Sequence, residues 1–270
     1  MKKSITNYNL TEKLHESSST LVYRAVQIQD HVPVILKVLQ PANPSPEELS
    51  RFQCEYDITH SFNNDGIIRV FRMEAYDNTL MIIEEDIAAK PLDILMKRRS
   101  LTLEECLFLA VRTAENVEHI HAANVIHKNL NPSNIIWNPK TDQVKIIDFG
   151  IASRLPSESF TLKNPGQLEG TLAYLSPEQT GRINRSIDYR TDLYSLGVTL
   201  YEMFTGQLPF TTTDAIELVH GHIAKKPSPL CEINADIPPI VSHIIMNLLE
   251  KNAEDRYQSA RGVKVDLEKC

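Results

Sequence analysis

Glycine is scarce in this chain, and the scarcity limits the kind of phosphate site that the sequence can carry. Only nine of the 270 residues are glycine, about half of the usual share of about 7%. Glycine lets a backbone approach phosphate closely, so a glycine-rich phosphate loop is not expected to stand out.

Paired cysteines and long apolar runs are missing as well. The cysteines lie far apart, with neither a CxxC pair nor a zinc-type spacing to histidine: Cys54, Cys106, Cys231 and Cys270. We therefore expect free thiols in a reducing compartment. The opening MKKSITNYNL has two lysines but no apolar run behind them, unlike a secretory signal. No stretch approaches the ~18 apolar residues that span a bilayer, so we expect a cytoplasmic protein with no membrane insertion.

The charge balance is acidic, with 28 basic and 35 acidic side chains and a net charge of −7. This balance gives a polyanion no general attraction, and we expect no nucleic-acid partner. Hydrophobic residues make up 42% of the chain. The length suffices for one large domain, or for two small lobes with a real core.

The first 90 residues or so have the texture of a β-sheet. Strands are predicted where β-branched residues cluster, at 21–28, 32–39, 67–76 and 79–86. Between the second and third, Ser45, Pro46 and two glutamates form a helix-start signature. They predict a helix that runs to about Ser61.

From about residue 91 the pattern changes to helix. Apolar residues recur at 3.6-residue spacing in four segments: 101–124, 190–206, 213–224 and 238–252. Thr102 is a candidate N-cap for the first segment, and Gly206 closes the second. The chain stops at VDLEKC, inside an apparent helix without a cap, as a piece cut from a longer protein would. A β-rich lobe followed by a larger helical lobe predicts an α+β fold.

Three groups of residues carry candidate chemistry. Lys37 stands late in the strand VILK, where a buried lysine is costly unless it is paired or binds an anion. Glu55 on the following helix is a candidate partner, although an ordinary surface lysine is the simpler interpretation of Lys37 alone. Asp148 opens a DFG tripeptide after an apolar strand, as a metal ligand on a movable hinge would, although a lone DFG is more often a turn. Asn134 can offer an amide oxygen to a hard cation such as Mg²⁺.

The order of these motifs is more specific than any one of them. A strand lysine, a helix glutamate, H-x-x-L-x-P-x-N at 127–134, DFG at 148–150 and the PE of GTLAYLSPE follow one another with suitable gaps. The chain thus resembles the eukaryotic-like (Hanks-type) Ser/Thr protein kinase family over essentially its whole length. GTLAYLSPEQTGRINRSIDYRTDLYSLG more narrowly resembles the N-terminal kinase domain of large bacterial signalling proteins. Those proteins continue into an ATPase module, a GAF domain and a sensor histidine kinase.

The resemblance implies a bilobal kinase-like fold that uses ATP and Mg²⁺ and acts on a protein substrate. The N-lobe would cover about 1–86, the hinge about 84–90 and the C-lobe about 91–270, which we expect to be truncated at its C-terminus. Partners would be protein substrates or the attached ATPase, GAF and histidine kinase domains.

Site roles follow from the resemblance, position by position. Lys37 would contact the α- and β-phosphates and pair with Glu55, while Asp148 and Asn134 would bind Mg²⁺. Thr171 matches the threonine that Ser/Thr kinases carry near the acceptor hydroxyl. The other nucleotide contacts would come from the phosphate-covering loop, the strand after it and the hinge backbone: Ser17, Ser18, Ser19, Val22, Glu85 and Ile87.

Further residues would brace the site. His127 and Phe149 would pack into the core that joins the lobes, and Asp192 would anchor the backbone of the catalytic loop. Glu178 would pair with Arg256 and so support the activation segment.

The main departure from the family pattern is Asn129, which stands where the family has the Asp that accepts or orients the substrate hydroxyl proton. An amide oxygen can accept a hydrogen bond but cannot take a proton at neutral pH. General base catalysis is worth roughly 10²–10⁴-fold, so we expect transfer to be slow. An engineered Asp→Asn change would leave the same sequence.

Other departures point the same way. Asn131 replaces a phosphate-contacting Lys, a difference that counts for less because the narrower group tends to carry Asn at this position. The serines at 17–19 replace glycines, which predicts weaker ATP binding, although a plain hairpin turn fits those serines equally well. Lys128 replaces an Arg and lacks its bidentate fork, which argues against activation by phosphorylation at Ser157, Ser159 or Thr161. If Glu85 is the hinge residue, Glu84 places a charge in a normally apolar adenine slot.

Three functions remain open from the sequence. The first is a slow Ser/Thr protein kinase that uses MgATP. The second is a pseudokinase, a nucleotide-responsive module that relays a signal to attached domains. The third is a docking module without nucleotide, which does not explain why the metal-binding acid and the phosphate lysine are both present.

Overall fold

The computed structural model describes residues 5, 7–40, 43–155, 170–183 and 185–270. The chain divides into two compact units, Met1–Ala89 and Lys90–Cys270. The first is built on a β-sheet and the second is mainly helical, which confirms the predicted α+β class with a β-rich N-lobe and a helical C-lobe.

Across its described residues, the first unit is a five-stranded antiparallel sheet with one helix. Its strands are β1 Tyr8–Glu16, β2 Thr20–Gln27, β3 Pro33–Leu39, β4 Val70–Tyr76 and β5 Thr79–Glu85, and its helix is α1 Pro46–His60. The spatial order is β1-β2-β3-β5-β4. The sequence analysis missed β1, because its YNLTEKLHE is almost wholly exposed after the buried Tyr8 and carries no apolar alternation.

The alternation of side chains along β3 assigns its residues to opposite faces of the sheet. Val34, Leu36 and Val38 belong to one buried cluster, which also contains Met81 and Ile83. The intervening positions point to the other face, where Leu39 and Ile82 pack with Phe52 of α1. Lys37 has the same parity as Leu39 and lies opposite Ile82, so the strand directs Lys37 toward the α1 side.

Helix α1 begins as its sequence predicts. Ser45 accepts a hydrogen bond from the Glu48 N–H at 3.2 Å, and Glu48 accepts one from the Ser45 N–H at 2.7 Å, which forms a capping box. Pro46 occupies the first turn, where it needs no hydrogen-bond donor. The cap therefore fixes where the helix that carries Glu55 starts.

The second unit is helical with short strands. Its helices are α2 Leu92–Arg98, α3 Leu103–Ala122, α4 Arg190–Thr205, α5 Ala215–Ala224, α6 Leu230–Ile233, α7 Pro239–Leu248 and α8 Ala260–Leu267. Its strands are β6 Lys90–Pro91, β7 Val125–Ile126, β8 Ile135–Asn138, β9 Gln143–Ile146 and β10 Ser153–Arg154. Strands β6, β8 and β9 form one small sheet, and β7 pairs with β10.

The predicted helix ends are present in this unit. Thr102 caps α3 through a second capping box with Glu105, and Gly206 ends α4 at a φ of +74°, a left-handed conformation that favours glycine. Helix α4 is buried along nearly its whole length and forms the centre of the unit.

The expectation that the chain stops inside an uncapped helix is wrong. Helix α8 ends at Leu267, and the Glu268 N–H donates to the Lys264 carbonyl at 2.9 Å. The apolar positions that hold α8 against its neighbours end at Leu267, and the last residues are exposed.

Two further expectations concern the chain as a whole. All four cysteines are free, and Cys106 is the buried one. Within the described ranges, no helix combines the length and the hydropathy needed to cross a membrane.

Candidate functional site

In the first unit, Lys37 and Glu55 form a buried ion pair. Lys37 on β3 is 8% exposed and Glu55 on α1 is 6% exposed, and the Lys37 ammonium donates to Glu55 Oε1. A charge at this depth is costly unless it is paired. An ordinary surface lysine is thereby excluded, and the predicted pair is present.

The serine loop at 17–19 joins β1 to β2 as a tight turn. The Ser17 N–H donates to the Thr20 carbonyl at 2.9 Å, and Ser17 Oγ accepts from the Thr20 N–H at 3.0 Å and the Ser19 N–H at 3.3 Å. Ser18 and Ser19 are exposed. This is the hairpin turn that the sequence left open, and the exposure of Ser18 and Ser19 is compatible with phosphate contact.

The nucleotide-binding positions predicted on β2 and after β5 also lie in this unit. Val22 is paired with Lys37 across β2 and β3, so both side chains project from the same face of the sheet. Glu85 ends β5: its N–H donates to the Arg69 carbonyl at 3.0 Å, and its carboxylate accepts from the Arg69 N–H at 2.8 Å. The segment that carries Ile87 therefore leaves the sheet from a fixed point.

In the second unit, the catalytic loop is organised around the buried His127. Its Nδ1 accepts from the Asn129 N–H at 3.2 Å, and its Nε2 lies 3.1 Å from the Ile147 carbonyl. Nδ1 must be the bare nitrogen and Nε2 the protonated one, because a backbone N–H can only donate. Burial lowers the pKa of His127, which keeps the ring neutral. Phe149 packs edge-on against it at 4.8 Å between ring centroids.

The orientation of the Asn129 amide is fixed by its neighbours. Asn129 Oδ1 accepts from the Thr171 N–H at 3.1 Å and lies 3.1 Å from Thr171 Oγ1 and 3.2 Å from Asn131 Nδ2. Because the Thr171 N–H can only donate, the oxygen of the amide must face Thr171 and the nitrogen must face the other way. The sequence analysis expected an amide oxygen that could accept from a substrate; that oxygen already has donors of its own.

Asn131 is also used inside the loop. Its amide nitrogen donates to the Asn129 carbonyl at 2.9 Å, and its oxygen accepts from the Ser133 N–H at 2.9 Å. The residue is 2% exposed. The position that carries a phosphate-contacting Lys in most of the family thus holds a side chain that braces the loop.

The two predicted metal ligands adjoin each other through the backbone. The Asn134 amide nitrogen donates to the Asn129 carbonyl at 2.9 Å, so the amide oxygen is the group available to a metal. The Ile147 N–H donates to the Asn134 carbonyl at 2.9 Å, and Asp148 follows directly. Asp148 adopts a φ of +66°, a costly conformation for a non-glycine residue that is commonest at functional sites. An amide and a carboxylate oxygen match the hard ligands that Mg²⁺ prefers.

Asp192 anchors the loop backbone, as predicted. Its carboxylate accepts from the N–H groups of His127 at 2.9 Å and Lys128 at 2.8 Å, and lies 3.0 Å from His121 Nε2. Burial alone would raise the pKa of Asp192, but the hydrogen bond and charge of His121 and the contacts with His127 lower it overall. Lys128 has a φ of +66°, and these bonds to Asp192 hold its backbone in place.

The predicted pair of Glu178 and Arg256 is buried and bidentate. Arg256 Nη1 and Nη2 donate to the two Glu178 carboxylate oxygens at 2.7 and 2.9 Å. Glu178 also accepts from Thr191 Oγ1 at 2.9 Å, and Arg256 lies 4.9 Å over the Tyr194 ring. The pair joins the segment after Thr171 to the segment before α8, and Thr191 and Tyr194 connect it to α4.

Two supporting residues were missed by the sequence analysis. His121 sits in the predicted helix 101–124, where a histidine on an amphipathic pattern carries no sign of its bond to Asp192. Gln179 donates from its amide to the Lys128 carbonyl at 2.8 Å, and nothing local to that residue indicates it. Positions 157, 159 and 161, where phosphorylation was considered, lie outside the described residues.

Comparison with known proteins settles the family. The model for the protein kinase domain matches residues 8–266. The chain belongs to the protein kinase family.

Bacterial Ser/Thr kinases are among its relatives. A probable serine/threonine-protein kinase of Clostridium perfringens is 33% identical over 97% of this chain and 38% of its own length. Serine/threonine-protein kinase pkn3 of Myxococcus xanthus is 32% identical over 97% of this chain and 49% of its own. PknA of Mycobacterium tuberculosis is 33% identical over 93% of this chain and 58% of its own. This kinase domain therefore spans between about two fifths and three fifths of these relatives.

Proposed function

We propose that this domain binds MgATP and transfers the γ-phosphate to Ser or Thr of a protein at a rate lowered by Asn129. The support is that Lys37 is paired with Glu55 and that the Asn134 amide nitrogen is bonded to Asn129, which leaves its oxygen for a metal. Asp148 directly follows Ile147, whose N–H bonds to the Asn134 carbonyl. Family membership supports the Ser/Thr class.

The residues would divide the work by charge and position. Phosphoryl transfer passes through a loose transition state, and the protein mostly positions the groups and neutralises charge. Lys37, held by Glu55, would contact the phosphates. Mg²⁺, when bound, supplies the remaining positive charge, and Asn134 and Asp148 would hold it. None of these tasks depends on the residue at position 129.

The observation that carries the lowered rate is the Thr171 N–H bonded to Asn129 Oδ1. It turns the amide N–H groups, which can only donate, to the side opposite Thr171. A substrate hydroxyl that approached Asn129 from the side opposite Thr171 would meet the amide N–H groups, which can donate to the hydroxyl oxygen. No group of Asn129 on that side would take the hydroxyl proton. Loss of a general base costs roughly 10²–10⁴-fold.

The test is transfer of labelled γ-phosphate from MgATP to the protein and to a generic Ser/Thr substrate. The unaltered chain would be compared with Asn129→Asp, with Asp148→Ala as the blank. We expect slow transfer by the unaltered chain, an increase of roughly 10²–10⁴-fold in Asn129→Asp, and none in the blank. Equal transfer by the blank would assign the signal to a contaminating kinase and sink the proposal.

A second candidate, an ATP-binding pseudokinase, is favoured by the internal bonds of Asn131 and Asn129. The loop then has neither a base nor a phosphate-contacting cation, while the nucleotide ligands are kept. In that case MgATP would raise the melting temperature of the unaltered chain without any transfer. A saturating titration with no thermal shift would reject this second candidate.

The wider setting follows from the resemblance to large bacterial signalling proteins. We propose that this domain acts in the cytoplasm, beside ATPase, GAF and histidine kinase modules of a longer parent chain. The four free cysteines suit a reducing compartment, and the relatives are longer than this chain. The coding sequence that follows Cys270 tests the domain order directly.

A further inference from the structure

A partly buried ion pair joins β2 to the segment that follows β5 in the first unit. Arg24 Nε donates to Asp86 Oδ2 at 2.7 Å. The Asp86 side chain is only 6% exposed, against 26% for that of Arg24. The two residues are 62 positions apart in sequence. Their bond connects β2 to the segment after β5, although β2 and β5 are not neighbours in the sheet.

Asp86 also holds the backbone that comes after it. Its other oxygen, Oδ1, accepts from the Ala88 N–H at 2.8 Å. Ala88 has a φ of +54°, in the left-handed region that alanine rarely enters. One carboxylate therefore fixes the turn that contains Ile87, because its two oxygens engage β2 on one side and Ala88 on the other.

Arg24 is placed on the face of the sheet that carries the proposed nucleotide contacts. It lies two positions after Val22 on β2, and residues two apart project from the same face. Val22 is opposite Lys37, so Val22, Lys37 and Arg24 share that face. Arg24 Nη1 also donates to Glu12 Oε2 on β1 at 2.6 Å, which extends the connection to the outer strand of the serine-loop hairpin.

We propose that Arg24 and Asp86 are a positioning pair that sets nucleotide affinity by holding residues 85–88, where the adenine contacts are predicted, in register with β2. This inference rests on the proposed binding of MgATP. Neither residue is assigned a direct contact with nucleotide. Loss of the pair would free the strained turn at Ala88 and weaken binding of the adenine end of the ligand, while the phosphate end, held by Lys37, would be unaffected.

The experiment compares two ligands on the full chain by calorimetric titration. MgATP reports the adenine and phosphate contacts together, and magnesium tripolyphosphate reports the phosphate contacts alone. The variants are Arg24→Gln, Asp86→Asn and the two combined. Arg72→Gln is the matched control, because Arg72 forms another Arg–carboxylate pair of the same unit with Glu74.

We expect each single variant to lose about three- to tenfold in MgATP affinity. This range corresponds to part of the free energy of one charge-assisted hydrogen bond, because only part of it is coupled to binding. The double variant should lose no more than a single one, because the two residues act through one bond. Tripolyphosphate affinity should be unchanged throughout, and Arg72→Gln should match the unaltered chain. Arg24→Lys, which keeps the charge, should recover part of the loss and serves if Arg24→Gln does not fold.

The outcomes separate the two proposals. Unchanged MgATP affinity in the folded variants, equal losses for both ligands, or additive losses in the double variant would overturn the positioning role alone. An unaltered chain that binds no MgATP would overturn the proposed function together with this inference.

Discussion

Asn129 and Thr171 are joined by both the backbone N–H and the hydroxyl of Thr171, each 3.1 Å from Asn129 Oδ1. The bond spans 42 positions of sequence and ties the catalytic loop to the segment that precedes the buried Glu178. A carboxylate in place of the amide would keep both bonds, since it offers the same acceptor to Thr171. It would differ only on the opposite side, where the amide presents donors and a carboxylate would present a second acceptor.

The first prediction concerns the neutral pair formed by Asn129 and Asn131. Asn129→Asp alone restores a carboxylate, but the uncharged Asn131 beside it cannot stabilise negative charge on the phosphate. The double variant Asn129→Asp with Asn131→Lys adds that positive charge and should transfer phosphate about tenfold faster than Asn129→Asp. Asn131→Lys alone should stay near the rate of the unaltered chain. Single-turnover transfer rates measure this, and melting temperatures would register the lost cap of Asn131 on Ser133. A double variant no faster than Asn129→Asp would show that this position does not act on the phosphate.

The second prediction is that the Glu178–Arg256 pair stabilises the second unit strongly. Arg256→Met leaves a buried carboxylate without its partner, and such a loss costs about 3–5 kcal/mol. The matched control is Arg185→Gln, because Arg185 pairs with Glu254 at the surface, where exposed pairs contribute about 1 kcal/mol or less. Urea unfolding measures both free energies. Similar losses in the two variants would mean that the burial of Arg256 is not what makes its pair important.

The sequence predicted best those features that are local in the chain. The capping boxes at Ser45 and Thr102 and the stop at Gly206 depend on residues within one turn, and all three are present. Strand β1 was missed because one exposed edge strand needs no apolar alternation. The expected uncapped end was wrong because a helical pattern does not mark its own last residue, and α8 ends at Leu267.

In the candidate site, too, some contacts could be predicted from the sequence and others could not. The pairs of Lys37 with Glu55 and of Glu178 with Arg256 could be predicted only because the order of the motifs matches a family. The direction of the Asn129 amide is set by Thr171, and the position of Asp86 by Arg24. These distant contacts leave no local mark in the sequence, since Asn and Asp are equally suited to turns.

The third prediction is a loss of stability on mild acidification that depends on His222. This side chain is fully buried, 3.1 Å from the Tyr194 hydroxyl, and burial, aided by the charge of Lys251, lowers the pKa of His222 to about 4. The unfolded chain takes up a proton near pH 6.5 and the folded chain does not, so stability is lost as the pH falls from about 6.5 to about 4. The shift corresponds to on the order of 3 kcal/mol.

The check is the free energy of unfolding in urea between pH 7 and pH 4.5. His222→Phe removes the titrating group and should flatten the slope, whereas His220→Phe, an exposed position on the same helix, should leave it as it is. His127, whose pKa is also lowered by burial, contributes a residual slope of the same sign in every variant. An identical slope in His222→Phe and the unaltered chain would reject the assignment.

The fourth prediction uses two helical glycines that differ in the space around them. A Cβ on Gly197 of helix α4 would lie 2.7 Å from Leu248 Cβ and 3.3 Å from the Leu248 carbonyl carbon at the end of α7. Backbone atoms cannot move aside cheaply, so Gly197→Ala should cost about 1–3 kcal/mol despite its better helix propensity. In helix α8 a Cβ on Gly262 would meet only ordinary contacts, 3.4 Å at the nearest, and Gly262→Ala should stabilise the unit by up to about 1 kcal/mol. Urea unfolding of the two variants should therefore give changes of opposite sign, and a stabilised Gly197→Ala would show that α4 and α7 can separate without cost.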